Sequence, residues 1–106
     1  MATGMQPSFV LRDLIDAHRD ELDEVMDRYG ARNPRLFGSV ARGEATDSSD
    51  IDILVDLDPA DGNILFRAGG LNDEFRRILG HDVDVFSAEL LKGGVSAAAL
   101  ADAVAL

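Results

Sequence analysis

The alternation of apolar and polar positions divides the chain into helix-like and strand-like stretches. From Phe9 to Tyr29 the residues Leu11, Leu14, Ile15, His18, Leu22, Val25, Met26 and Tyr29 recur at a spacing near 3.6, while Asp13, Asp16, Asp20, Asp23 and Asp27 lie mostly on the other side. This predicts one amphipathic helix closed by Gly30. Pro34 precedes a short strand, Arg35 to Phe37, which runs into Gly38-Ser39 and a helical turn from Ser39 to Gly43. A polar loop, Glu44 to Ser49, leads to the strand Ile51 to Leu57. There Ile51, Ile53, Val55 and Leu57 alternate with Asp52, Leu54 and Asp56. Pro59 to Asn63 is a turn cluster. Residues Ile64 to Leu79 read as a second helix, firm from Leu71 onward because Gly69-Gly70 weakens its first half. Asp82 to Phe86 is a third strand, and Ser96 to Val104 a C-terminal helix within 95–106. Residues 1–8 read as a loose tail.

Helices alternating with strands predict an α/β (α+β) fold: one domain over 1–106, with a small mixed sheet flanked by helices. The pattern leaves the strand order open. Composition narrows the setting. The chain is 46% apolar, has no cysteine, and carries no apolar run long enough to span a bilayer. The first residues lack the basic and apolar segments of a signal peptide, so a cytoplasmic setting is expected. The formal charge is −10, and Lys92 is the single lysine. Stable binding to long nucleic acid needs clustered cations and is not expected. An acidic surface suits a basic protein partner; solubility alone is the plainer explanation of the same charge.

Candidate chemistry enters with the aspartates. Aspartate is disfavoured in strands, yet Asp50 and Asp52 stand two apart on one face of the second strand. If the third strand lies alongside, Asp84 joins them. Two carboxylates about 6 Å apart at an effective dielectric near 20 repel by roughly 3 kcal/mol, and by less in full solvent. Magnesium, which takes oxygen ligands, would offset that repulsion. Two such ions would clamp the attacking and leaving oxygens of a phosphoryl transfer. An acidic strand face that merely meets water is the alternative, and for Asp-x-Asp alone it is the better one.

The upstream Gly38-Ser39 pair shifts the weight. It follows a strand and opens a helical turn, where backbone N–H groups can hold a phosphate, and Arg42 lies one turn on. Together, Leu36-Phe37-Gly38-Ser39-Val40-Ala41-Arg42-Gly43 and Ser49-Asp50-Ile51-Asp52-Ile53-Leu54-Val55 resemble the signature of the DNA polymerase β-like nucleotidyltransferases: Gly-Ser, ten residues, then Asp-x-Asp. Asp84, in Val83-Asp84-Val85, sits where that superfamily carries its third carboxylate. The resemblance implies the nucleotidyltransferase fold. It also implies that Asp50, Asp52 and Asp84 hold two Mg²⁺ ions, that Asp84 helps deprotonate the attacking hydroxyl, and that Gly38 and Ser39 bind the triphosphate of ATP. Arg42 is a candidate nucleotide contact whose alternative is a surface arginine.

Residues 85–106, which follow Asp84, are too few for the second domain of larger members. The chain therefore resembles the minimal nucleotidyltransferases (MNT), many of which pair with a HEPN-domain ribonuclease as antitoxin and toxin. That resemblance implies transfer of AMP from ATP to a tyrosine of the toxin. The alternatives are an antibiotic-type transferase whose partner supplies the acceptor site, and a non-catalytic module that blocks its partner by binding. His18 and Tyr29 read as packing residues and His81 as a turn residue near the site. The Ala-rich C-terminal segment is expected to cover the chain's own sheet rather than a partner.

Overall fold

The computed structural model describes residues 7–46, 48–90 and 103–106. Its elements run α1 (Pro7–Ala17), α2 (Arg19–Tyr29), β1 (Ala31–Phe37), α3 (Gly38–Arg42), β2 (Ile51–Leu57), a 3₁₀ turn (Pro59–Asp61), α4 (Ile64–Leu79), β3 (Val83–Ser87) and β4 (Val104–Ala105). The strands form one mixed sheet in the order β3-β2-β1-β4. β1 lies antiparallel to β2 and to β4, whereas β3 lies parallel to β2 through the α4 crossover. The expected α+β architecture is the one found.

The core forms where the apolar sides of the helices meet one face of the sheet. Leu22, Val25 and Met26 of α2, Leu71, Phe75 and Leu79 of α4, and Ile51, Ile53, Val55 and Leu57 of β2 belong to one buried cluster. Leu54 is also buried but lies on the opposite face of β2, with Asp52 and Asp56. On that face Phe37 of β1 and Phe86 of β3 meet edge to face, ring centroids 5.3 Å apart, bridging over β2.

Three elements depart from expectation by more than a residue or two. The single helix over Phe9 to Tyr29 is two helices that break at His18. Its N–H bonds the Ile15 carbonyl at 3.1 Å in a tighter turn, and its ring Nδ1 pairs with the Leu14 carbonyl at 3.0 Å. Side-chain bonding back to the backbone competes with the regular ladder. β1 starts at Ala31 rather than Arg35, because the strand tolerates Pro34 at an irregularity. The register shifts between Arg32 and Arg35, and Asn33 adopts φ 55°.

The C-terminal helix is corrected at its end: Val104–Ala105 is a strand beside Leu36 and Arg35, and the Leu106 N–H bonds the Pro34 carbonyl at 3.1 Å. This pairing closes an otherwise open edge of β1. The stretch from Ser96 to Asp102 lies outside the described residues, as does the tail from Met1 to Gln6; the backbone of Pro7 and Ser8 already belongs to α1.

Candidate active site

The site grows from the beginning of β2. In the parallel pairing of β2 with β3, Asp52 stands directly opposite Asp84, and in the antiparallel pairing with β1 it stands opposite Phe37. Residues paired across neighbouring strands share a face, so the two carboxylates are side by side. Asp50 sits just before β2, exposed at the end of the loop. That loop is held by the Ser49 hydroxyl, which accepts the Thr46 N–H at 2.8 Å, and by His81, whose Nε2 lies 2.9 Å from the Ser49 carbonyl. His81, read from the sequence as a turn residue, therefore ties the approach to β3 to the peptide that precedes Asp50.

Gly38 completes the floor. Its φ is 75°, in the left-handed region, and a Cβ there would collide with the Asp52 carboxylate. Only glycine lets the β1–α3 turn lie against this aspartate. α3 begins without a side-chain cap, so its first N–H groups keep their capacity for another acceptor. Ser39 is half-buried in this first turn. Arg12 fastens α1 to the end of α3 by donating to the Ala41 carbonyl at 3.0 Å.

The electrostatics record the convergence. Burial first, then the charges of Asp84 and Asp50, push the Asp52 carboxyl up from 3.8 to about 6, while the Arg42 guanidinium pulls the other way. Two acidic groups thus act on Asp52, and Arg42 is near enough to be felt there while also donating to Glu44 at 2.6 Å. Among the described residues no three acidic, histidine or cysteine side chains are gathered closely enough to enclose a metal by themselves. The donor chemistry nonetheless suits magnesium, which commonly takes one or two carboxylates and completes its shell with phosphate oxygens and water. A divalent cation would offset the repulsion from Asp84 and Asp50 and so favour the ionised form of Asp52.

Two contributors escaped the sequence reading. Arg76 of α4 donates from Nε to the Val83 carbonyl at 2.9 Å and from Nη2 to Asp84 Oδ1 at 3.3 Å. Asn72, one turn earlier, accepts the Val85 N–H at 3.0 Å. Their spacing of four on a helix was visible; that α4 carries them to the strand bearing Asp84 was not. Elsewhere Tyr29 packs against the core and over Gly70, as expected of it. Among the described residues no helix is long and apolar enough to cross a membrane.

Comparison with known proteins bears on the family and the fold. The model of the nucleotidyltransferase domain family matches residues 19–105. The chain is 35% identical over 94 residues to the protein adenylyltransferase MntA of Thermococcus cleftensis, covering 89% of this chain and 90% of that one. It is 34% identical over 77 residues to a Methanocaldococcus jannaschii protein provisionally named a protein adenylyltransferase, covering 73% and 74%. A solved structure described provisionally as a minimal nucleotidyltransferase superposes with a TM-score of 0.69 at 32% identity, covering 99% of this chain and 100% of that one. With a family model spanning most of its length and an Asp-x-Asp strand set against a Gly-Ser turn, the chain belongs to the nucleotidyltransferase domain family, among its minimal members.

Proposed function

We propose that this chain is a metal-dependent protein adenylyltransferase. It moves AMP from ATP onto a tyrosine of a cognate HEPN ribonuclease and so acts as the antitoxin of that toxin in the cytoplasm. The observation that carries this reading is Asp52 facing Asp84 beside the Gly38 turn. The names of the relatives support AMP as the group transferred and a protein as the acceptor.

In this mechanism the first turn of α3, with Gly38 and Ser39, receives the triphosphate through backbone N–H groups, and Arg42 adds positive charge. The acceptor oxygen bonds to the α-phosphorus as the bond from that phosphorus to the bridging oxygen breaks, and pyrophosphate leaves. Asp84 takes the acceptor's proton. Magnesium held by Asp50, Asp52 and Asp84 would neutralise the triphosphate and stabilise charge on the entering and leaving oxygens. The remainder is positioning, as in phosphoryl transfer generally. The net charge of −10 suits a basic ribonuclease as partner.

The test is transfer of α-labelled AMP to a co-expressed HEPN partner in magnesium. Asp50→Asn is expected to lower labelling by at least about a hundredfold while leaving the circular dichroism spectrum intact. Labelling retained by Asp50→Asn removes that residue from the mechanism. No labelling by the unaltered chain removes the adenylyltransferase reading.

A further inference from the structure

The outer edge of β3 is closed by two side chains of α4. Asn72 and Arg76 stand four apart, on one side of that helix. Asn72 Oδ1 accepts the Val85 N–H at 3.0 Å, and Arg76 Nε donates to the Val83 carbonyl at 2.9 Å. These backbone groups flank Asp84 on either side. The peptide frame of Asp84 is thus held from outside the sheet by α4 and from inside by β2. The same guanidinium extends Nη2 to Asp84 Oδ1 at 3.3 Å.

As a fastening this ion pair is weak. Its side chains are 45% and 39% exposed, and exposed pairs add little to stability. As an orienting device it is well built. Asp84 stands opposite Asp52, and the repulsion between them gives its carboxylate a reason to swing away. A guanidinium is planar and rigid, so anchoring Nε on Val83 also places Nη2. The contact uses one carboxylate oxygen and leaves the second able to accept a proton or ligate an ion.

We infer that Arg76 is a positioning residue that orients the Asp84 carboxylate through a guanidinium anchored on the adjoining Val83 carbonyl. The consequence for catalysis rests on the role given to Asp84 above; the orientation itself does not.

Two measurements separate these. The first is a double-mutant cycle by thermal melting in EDTA, with Arg76→Met made in the unaltered chain and in Asp84→Asn. Orientation through Asp84 predicts that Arg76→Met lowers the melting temperature by about 2 °C more when Asp84 is present. A guanidinium that serves only the Val83 carbonyl gives equal shifts. The second is AMP transfer by Arg76→Lys, which keeps the charge but cannot span both acceptors. The turnover number is expected to fall about tenfold or more while KM for ATP stays within about twofold. Arg77→Met, on the surface pair with Glu74, serves as the control and leaves both unchanged.

Equal melting shifts in the two backgrounds, or an undiminished turnover number in Arg76→Lys, overturn the inference. An unaltered chain that transfers nothing while the melting cycle still shows coupling overturns the adenylyltransferase reading and supports the orientation.

Discussion

Asp52 carries, at the residue scale, the clearest electrostatic mark of its surroundings. Its carboxyl lies higher in the fold, at about 6, than its ordinary value of 3.8, first through burial and then through Asp84 and Asp50. The folded chain therefore binds this proton more tightly than the unfolded chain. The stability that the proton confers is fully present below about pH 4 and is lost as pH rises through about 6. Asp52→Asn is expected to melt higher than the unaltered chain at about pH 7.5 without metal, by about 5 °C for roughly 1 kcal/mol after allowing for solvent screening. At about pH 4 the difference should shrink. Melting curves at the two pH values decide it; the same difference at both would mean that ionisation of Asp52 does not strain the fold. The sequence pointed to Asp52 through its spacing from Gly38-Ser39. It gave no sign of the aromatic pair Phe37 and Phe86 on the same face, because their contact joins two strands across a third.

At the scale of elements, α4 carries the clearest contrast between a residue's type and its use. Gly69-Gly70 argued against helix in the first half of Ile64–Leu79, yet the helix is continuous. The two glycines differ in cause. A Cβ on Gly70 would stand 2.5 Å from the Tyr29 ring, so the close approach of α2 to α4 excludes a larger residue. A Cβ on Gly69 would meet nothing within 4 Å. Gly69→Ala is accordingly expected to stabilise the chain by about 0.5–1 kcal/mol through helix propensity. Gly70→Ala is expected to destabilise it by about 1–3 kcal/mol through overpacking. Denaturant titration of both variants measures this, and a Gly70→Ala as stable as Gly69→Ala would show that Tyr29 yields. Arg67 reinforces the same junction, donating to the carbonyls of Tyr29, Gly30 and Asp58 at 3.0, 3.2 and 2.8 Å. The entry of α4 is thereby tied to the end of α2 and the end of β2.

On the scale of the whole molecule, the two ends of the sheet differ in how their aspartates are matched. Asp50, Asp52, Asp84 and the Gly38 turn gather where β2 and β3 begin. Asp56, near the far end of β2, is matched by Arg35 at 2.7 Å and by Asn33 at 3.2 Å. The acidic strand face is therefore compensated at one end and left with excess negative charge at the other. Millimolar magnesium is expected to raise the melting temperature, and further with ATP, because ligands that bind only the native state stabilise it. Asp52→Asn should abolish the magnesium shift. A chain indifferent to magnesium, with and without ATP, would count against a metal at this end.

Local order along the chain was enough to define most of the elements, the Gly-Ser turn, the interval to Asp-x-Asp and the strand that carries Asp84, since each depends on neighbours a few residues apart. The strand order β3-β2-β1-β4, the pairing of Asp52 with Asp84, and the fit of Gly38 against Asp52 were decided by tertiary structure. So were the reach of Arg76 to Asp84 and the return of Val104–Ala105 to β1. These join residues far apart in sequence, and no periodicity encodes which distant partners meet. Their positions are selected by burial of the common core and by the backbone groups that each sheet edge must satisfy.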